Sequence, residues 1–235
     1  MAFRQVLNFN NPINEFPTSQ SGMFQVINGR YPTPTDPPAG GAGWGANQVV
    51  NQDGTFGYVM KSTVGTRFEG VRLSRVSENG TFGLDIGNNQ YSKVLVDNPS
   101  DGSYYGPAVR VGITPGAANC YVLEYFSDNP PPRIILYAVS TIVDVIDFNT
   151  LQTYGFTPGN PCTMELRATG TNPVSLVAVL DGQVQPAVQD TTYLFQNGQP
   201  GFWNFSTGDN IHFRTWEGGD FASTPEVSGK LIVCF

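Results

Sequence analysis

The stretch from residue 161 to residue 202 constrains the fold of this chain more than any other part of the sequence. Between residues 164 and 168, apolar and polar side chains alternate, which is the two-residue period of a strand with one buried face. Residues 174–180 form a short apolar run, which is typical of a buried strand. Asp181-Gly182 then supplies the positive backbone dihedrals of a tight hairpin turn. The segment therefore predicts short antiparallel strands joined by tight turns.

The rest of the chain follows the same pattern. Turn dipeptides such as Asp53-Gly54 and Asn79-Gly80 separate short apolar segments, and no stretch has the clear period of an amphipathic helix. We therefore expect an all-β fold, a sandwich of two antiparallel sheets, with residues 1–235 as a single domain. A separate small β-domain over residues 1–105 is the alternative.

Two further predictions concern local strand geometry. Simple alternation places Val109, Val111 and Ile113 on one face of a strand, with Arg110 on the other face. Residues 201–216 are expected to form a hairpin that turns near its middle, where glycine and aspartate stand together.

The charge of the protein argues against two classes of partner. Only 13% of the residues are charged, the net charge is −7 and the pI is about 4.6. Nucleic acid and anionic membrane are not expected as partners, because both need clustered lysine and arginine. The sequence also lacks the apolar run of ~20 residues that a membrane helix needs. Its start lacks the pattern of a secretion signal, so we expect synthesis in a cytoplasm, or else a signal that has been removed.

The cysteines and the loop acids do not predict a metal site. Cys120, Cys162 and Cys234 are an odd number in apolar contexts, which favours buried free thiols over one disulfide and a spare thiol. No zinc site is expected, because no two cysteines are close in sequence and His212 is the only histidine. Four loop acids have the right chemistry for Ca²⁺, but they form no contiguous calcium loop. These acids are Asp97, Asp101, Asp190 and Asp220.

Three segments, taken in order, resemble one family of folds. They are Tyr105-Gly-Pro-Ala-Val-Arg-Val-Gly-Ile; Tyr121-Val-Leu-Glu-Tyr-Phe with Arg133-Ile-Ile-Leu-Tyr-Ala-Val; and Met164-Glu-Leu-Arg-Ala-Thr-Gly with Val177-Ala-Val-Leu-Asp-Gly-Gln, Asp190 and Gly198-Gln-Pro-Gly-Phe. This order resembles the concanavalin A-like, or laminin-G-like, jelly-roll superfamily over residues 105–205. The resemblance implies a concanavalin-like jelly-roll sandwich. Members of the superfamily bind glycans, cleave or lyse polysaccharides, or serve as scaffold and virion proteins, so the fold does not choose the function.

The catalytic residues that the resemblance implies are not found in the sequence. Glycosidases of this fold carry paired carboxylates on one face of a strand, whereas Asp144 and Asp147 are three residues apart and point to opposite faces. Lyases of this fold use tyrosine and histidine, and His212 lies in an apolar strand context that favours a structural role. A catalytic pair formed across two strands is the alternative, but we expect no enzymatic activity and no cofactor.

Aromatic residues in or beside polar loops indicate glycan binding instead. A sugar ring stacks its C–H face on an aromatic side chain, and nearby amides and carboxylates bind its hydroxyl groups. The alternative is that these aromatics pack in the core, as most aromatics of a sandwich do. The candidate ligand-binding residues are Trp44, Tyr104, Tyr105, Trp203 and Trp216.

Two functional hypotheses follow. The first is a non-enzymatic structural or surface protein of an assembly, most plausibly a virion decoration or tail protein. It would contact protein neighbours, form a homo-oligomer and bind a glycan. The second is a secreted polysaccharide-active enzyme, a glycoside hydrolase or lyase, or a carbohydrate-binding module. The low charge and the Pro- and Gly-rich loop at residues 31–47 favour the first hypothesis and a location on a virion surface. The second hypothesis implies an extracellular location.

Overall fold

The computed structural model describes the strands of the fold and some of the turns between them. The described residues are 4–8, 24–28, 47–50, 59–62, 72–76, 87–97, 103–114, 117–126, 132–142, 145–157, 159, 161–196, 198–206 and 212–221. The strands in chain order are β1 (Arg4–Asn8), β2 (Phe24–Asn28), β3 (Asn47–Val50), β4 (Val59–Ser62), β5 (Arg72–Val76), β6 (Gln90–Asp97), β7 (Ser103–Thr114), β8 (Ala117–Phe126), β9 (Arg133–Ile142), β10 (Val145–Tyr154), β11 (Cys162–Thr169), β12 (Val174–Leu180), β13 (Gln183–Val184), β14 (Val188–Asp190), β15 (Gln199–Ser206) and β16 (His212–Asp220).

The strands of the described residues form two sheets. The first sheet has nine strands in the order β13-β12-β11-β6-β16-β4-β3, with β1 beside β16 and β14 beside β12. The second has seven strands in the order β10-β9-β8-β7-β15-β5-β2. Neighbouring strands run antiparallel in both sheets. The predicted all-β sandwich of two antiparallel sheets is therefore confirmed. Within the described ranges, no helix is long and apolar enough to cross a membrane.

The core lies between the two sheets, and strand β11 shows how the sequence places it there. Residues of β11 alternate between buried and half-buried, with Met164, Leu166 and Ala168 directed at the second sheet. Tyr121 and Leu123 of β8 meet them from that sheet. Burying one large aliphatic side chain stabilises the fold by about 2 kcal/mol, so alternation decides which face of the strand turns inward.

Two of the cysteines are buried free thiols, as predicted. These are Cys120 on β8 and Cys162 at the start of β11, while Cys234 lies outside the described residues. Burial raises the pKa of the Cys120 thiol well above its ordinary value. Burial, with help from the nearby Asp181, raises the pKa of Cys162 to about 12. Both thiols therefore stay protonated and unreactive at neutral pH.

The turn between β12 and β13 has the geometry that the sequence predicts. Leu180 pairs with Gln183 across it. The two turn residues have positive φ angles, 46° at Asp181 and 80° at Gly182. Aspartate tolerates this region because its short polar side chain can bond to nearby backbone, and glycine has no Cβ to clash.

Replacing Gly182 by alanine is expected to lower the free energy of unfolding by about 1 kcal/mol, since the left-handed conformation must be kept with a Cβ present. No atom lies within 4 Å of the position where that Cβ would stand, so the cost is conformational alone. Gly155→Ala is the matched control, because its Cβ also meets open space and its φ is not positive. Urea denaturation of both variants checks this, and equal stabilities would contradict it.

Strand β7 departs from the simple alternation expected at residues 109–113. Val109 packs in the core between the sheets, whereas Val111 belongs to a cluster on the opposite face. The expectation that these two valines share a face is therefore wrong. The register with β8 shifts between Val109 and Gly112, and Arg110 has a φ of 54°. Such a bulge inserts one extra residue and reverses the direction of the side chains that follow.

The hairpin expected over residues 201–216 is also wrong. Strand β15 pairs with β7 and β5 in the second sheet, while β16 pairs with β6 in the first sheet. The connection between β15 and β16 therefore crosses from one sheet to the other. A turn dipeptide fixes only a local reversal of the chain, and the sheet that receives the next strand is decided by the tertiary packing.

Candidate functional site

The second sheet carries a cluster of side chains on the face that points away from the core. Because Tyr121, Leu123 and Tyr125 of β8 point into the core, the residues between them point outward. The outward side chains of β7, β8, β9 and β15 pack on one another in a second apolar cluster. Its buried members are Tyr104, Ala108, Val111, Cys120, Val122, Val139 and Trp203, with Phe126 and Tyr137 packed against them.

A contact between distant strands shows that this outer face is concave. The ring centroids of Phe148 on β10 and Trp203 on β15 are 5.4 Å apart. Four strand spacings separate these strands in the sheet, which is about 19 Å in a flat sheet. The sheet must therefore curl toward this side so that the two rings can meet. We call this outer surface of the second sheet the concave face.

Glu124 lies within the concave face, at the middle of the sheet. It follows the inward-facing Leu123 on β8 and is only 4% exposed. Burial raises the pKa of its carboxyl from 4.5 to about 8, because the charged form loses its hydration. The indole of Trp203 acts in the opposite direction and favours the ionised form. Most of the Glu124 carboxyl is therefore protonated at neutral pH and can donate a hydrogen bond.

The indole of Trp203, on β15, acts on the carboxyl of Glu124, on β8, across strand β7. Gly106 of β7 lies opposite Trp203 in the sheet, and a Cβ there would stand 3.2 Å from Cε of the core residue Met164. A Cβ on Gly106 would stand 1.8 Å from the backbone oxygen of Leu123. Only glycine fits this position, since real Cβ contacts are never so short. The indole Nε1 of Trp203 is buried without a hydrogen-bond partner of good geometry.

Two aromatic residues, Tyr137 and Phe148, form the outer part of the site. Their rings meet edge to face at a centroid distance of 5.5 Å. Burial and the Glu124 charge raise the pKa of Tyr137 to about 12, while Arg133 and a hydrogen bond with Thr150 act against the rise. Phe148 is 37% exposed. Its ring therefore offers solvent an apolar surface on the concave face, in contact with the rings of Tyr137 and Trp203.

An arginine stands at one end of the concave face. The guanidinium of Arg133, an exposed residue of β9, lies over the ring of Phe126 at 5.2 Å from the centroid. Phe126 is in turn held by Tyr104, whose ring centroid lies 4.8 Å away in an edge-on arrangement. A cation over an aromatic face is attracted by the electron-rich ring. The arginine is therefore positioned by the sheet.

The five aromatics chosen from the sequence fall into three groups. Tyr104 and Trp203 lie on the concave face, where both are buried. Tyr105 and Trp216 lie in the core between the sheets, and the Trp216 indole donates to Ser92 Oγ at 3.0 Å. Trp44 lies outside the described residues. The ligand-binding role assigned to these residues stays a prediction.

Sequence reasoning missed four residues of the concave face: Glu124, Arg133, Tyr137 and Phe148. A signal for Glu124 did exist, since it is the one acid within an otherwise apolar strand. Strand β8 is apolar on both faces, so its sequence did not show which face the acid occupies. The contact of Phe148 with Trp203 depends on the curl of the sheet, which brings β10 over β15.

One of the loop acids, Asp190, and a buried arginine serve the structure elsewhere in the fold. The Asp190 carboxylate accepts hydrogen bonds from the Tyr121 hydroxyl at 2.5 Å and from three backbone N–H groups at 2.8–3.0 Å. Arg110 is fully buried, with its guanidinium on the backbone oxygens of Asn88, Gly170 and Phe195. Among the residues that the structure describes, no three of histidine, cysteine, aspartate or glutamate gather as metal ligands.

The fold is a concanavalin A-like jelly roll, as the resemblance implied. A structure described as a native glycosidic hydrolase is 11% identical, with a TM-score of 0.53 over 92% of this chain and 94% of that chain. The GH16 protein of the Bacteroides ovatus mixed-linkage glucan locus, in complex with its product, is 11% identical, with a TM-score of 0.51 over 91% and 98%. LamAcat from Zobellia galactanivorans is 10% identical, with a TM-score of 0.50 over 92% and 96%. No protein-family model matches the sequence, and no curated protein sequence matches it.

These structures correct the expectation that the protein is not an enzyme. Proteins of this fold include glycoside hydrolases, so the fold is compatible with catalysis, although identities of 10–11% do not establish it. The expectation rested on the spacing of carboxylates along single strands. Carboxyl groups that act together can also come from different strands or loops, so this spacing was too narrow a criterion.

Proposed function

We propose that the protein recognises a glycan on the concave face of its second sheet. The observation that carries this proposal is the combination of an exposed ring at Phe148, a buried carboxyl at Glu124 and an exposed guanidinium at Arg133 on one concave surface. The ring suits the C–H face of a sugar, and the carboxyl and guanidinium suit its hydroxyl groups. The likeness in fold to glycoside hydrolases, which act on saccharides, supports the same proposal.

Replacing Phe148 by alanine is expected to weaken glycan binding at least tenfold, because the sugar loses its stacking surface. The measurement is retention of the protein on a panel of polysaccharides, followed by calorimetric titration with the one that retains it. Phe148 is partly exposed, so its removal leaves the core between the sheets intact.

Phe221→Ala is the matched control for this experiment. Phe221 is also a half-exposed phenylalanine under an arginine, since the guanidinium of Arg167 lies 4.9 Å from its ring centroid. Arg167, however, belongs to β11 of the first sheet. Wild-type affinity in the Phe221 variant and weakened affinity in the Phe148 variant support the proposal. Equal affinity of both variants, or no retention on any polysaccharide, argues against it.

Cleavage of a glycosidic bond is a second candidate function, and the Glu124 pKa favours it. A carboxyl that is protonated near neutral pH can donate a proton to a leaving-group oxygen. In the described part of the concave face Glu124 is the one carboxyl, so a second would come from the remaining residues. Release of reducing ends by the wild type, and its loss in Glu124→Gln, is the result this candidate predicts. No release of sugar from any polysaccharide that the protein binds would contradict it.

The setting we propose for glycan recognition is the surface of an assembly, namely a virion. The low charged fraction of 13% supports this setting, as do the prolines and glycines of residues 31–47. Neighbouring copies of the chain are the partners that such a setting implies. Antibody labelling of purified particles tests it, with labelled particle surfaces expected. Labelling that is found only in the medium would support a secreted protein instead.

A further inference from the structure

We infer that the concave face selects saccharides that carry a carboxylate or sulfate group, and that Arg133 binds this anion. The inference rests on the proposed function and deepens it. It names a class of glycan and the residue that distinguishes this class from neutral glycans.

Within the described part of the chain, the one contact of the Arg133 guanidinium is with an aromatic ring. Three arginine side chains can be compared in the described residues. Arg110 donates to three backbone oxygens, and Arg167 forms an ion pair with Glu165 at 2.6 Å. Arg133 contacts the Phe126 ring and, within the described part of the chain, has neither an ion-pair partner nor a hydrogen-bond acceptor. Arg133 is exposed, and its planar array of N–H donors suits an anion, which it can bind through two parallel hydrogen bonds.

The guanidinium is also positioned before any ligand arrives. It lies against Phe126, and Phe126 packs against the buried Tyr104. A side chain that is held in place loses less conformational freedom on binding than a mobile surface arginine. The contacts with Phe126 and Tyr104 therefore restrict the conformations of Arg133, whereas an exposed arginine without such contacts samples many rotamers.

The charge balance of the concave face differs from that of the whole protein. The chain has a net charge of −7, yet in the described part of this face the only carboxyl is Glu124. Because burial raises the pKa of Glu124 to about 8, this carboxyl is mostly neutral at pH 7. Within the described part of the face, Arg133 therefore carries a positive charge with no ionised carboxylate beside it, whereas the protein as a whole is negative.

The polar groups of the face are mainly hydrogen-bond donors. Arg133 can only donate. The Trp203 indole can also only donate, and it acts on the Glu124 carboxyl by favouring its ionised form. Protonated Glu124 adds a further O–H donor. A neutral sugar hydroxyl both donates and accepts, whereas a carboxylate or sulfate offers acceptors only. An acidic sugar therefore complements this face better than a neutral sugar does.

The test compares matched pairs of polysaccharides that differ only in charge. Polygalacturonate is paired with its fully methyl-esterified form, and dextran sulfate with dextran. We expect the protein to bind at least one charged member at least tenfold more tightly than its neutral partner. We also expect Arg133→Ala to remove that preference and lower affinity for the charged member about tenfold, as loss of one charge-assisted contact does.

Two variants separate a specific contact from a general effect of charge. Arg167→Ala removes one positive charge from the first sheet, so it matches the charge change of Arg133→Ala and should leave binding unchanged. Arg133→Lys keeps the charge but lacks the planar pair of donors. It is expected to recover part of the preference for the charged polysaccharide. Circular dichroism confirms that each variant is folded.

The outcomes distinguish failure of this inference from failure of the proposed function. Retention of neutral polysaccharides with no preference for charged members leaves glycan recognition standing and overturns the inference. A charge preference that persists in Arg133→Ala also overturns it. No retention on any polysaccharide overturns the proposed function, and the inference with it.

Discussion

The wild-type protein is expected to lose stability as pH rises from 4.5 to about 8, because of Glu124. Replacing Glu124 by glutamine is expected to abolish this loss. Below this window the folded and unfolded states both hold the Glu124 proton. Within it the unfolded state releases the proton and the folded state keeps it, because burial raises the folded pKa to about 8. Stability therefore declines as pH rises, by about 1.4 kcal/mol per pH unit and roughly 5 kcal/mol at most. Above pH 8 the decline stops.

The difference in free energy of unfolding between the wild type and Glu124→Gln reports the titration of Glu124. Two other titratable groups in the described part of the concave face keep their protons in the window: Tyr137, with a pKa of about 12, and Cys120, with its raised pKa. Urea denaturation of wild type and Glu124→Gln at pH 5, 7 and 9 makes the measurement. The variant should match the wild type at pH 5 and exceed it at pH 9. If the free energies of unfolding of the two proteins differed by the same amount at pH 5, 7 and 9, Glu124 would not be buried as a neutral acid.

Replacing Asp190 by asparagine is expected to lower the free energy of unfolding by about 3 kcal/mol, since one of the two buried carboxylate oxygens becomes an NH₂ group. Each oxygen accepts two hydrogen bonds: Oδ1 from the N–H groups of Thr192 and Tyr193, and Oδ2 from the Tyr121 hydroxyl and the Leu194 N–H. An amide nitrogen at Oδ1 would oppose two backbone N–H donors, and at Oδ2 it would oppose the Leu194 N–H, since the Tyr121 hydroxyl can turn to accept. Chemical denaturation measures the loss.

Asp181→Asn is the matched control for this substitution. Asp181 accepts hydrogen bonds from two backbone N–H groups, those of Gly159 and Thr163, but it is exposed to solvent. Water can replace the contact that the amide loses, so a decrease of no more than about 1 kcal/mol is expected. Equal losses at the two positions would contradict the account of Asp190 as a buried acceptor.

The Asp190 site also has a defined pH dependence. Burial alone would raise the pKa of its carboxyl, but the hydrogen bonds from Tyr121 and the three backbone groups outweigh burial and lower it. The stability it contributes is therefore present above the unfolded pKa and is lost as pH falls through the folded pKa. This direction is opposite to that of Glu124. The two acids thus respond to pH in opposite directions, and each variant removes one response.

Local patterns in the sequence were sufficient to predict strand β11 of the first sheet and the turn that follows β12. The alternation at Met164, Leu166 and Ala168 identified both the strand and its inner face, because its other face is polar. The turn at Asp181-Gly182 was equally clear, since few residues adopt positive φ. Such signals succeed where neighbouring residues alone determine the conformation.

The concave face could not be derived in the same way. Tyr104 and Tyr105 are adjacent, so they must point to opposite faces of β7, but nothing in the sequence tells which one faces the core. The bulge at Arg110 then reverses the alternation, and its cause is tertiary: the guanidinium must reach the oxygens of three loops. The contact of Phe148 with Trp203 depends on the curvature of a whole sheet. These features arise from packing between segments that are distant in sequence.

A crystal structure of the protein with the polysaccharide fragment that it retains most tightly tests the central claim most directly. The account predicts a sugar ring against Phe148, with an anionic group of the saccharide on the guanidinium of Arg133. A saccharide bound outside the concave face, for example on the first sheet beside Arg167 and Phe221, would contradict it.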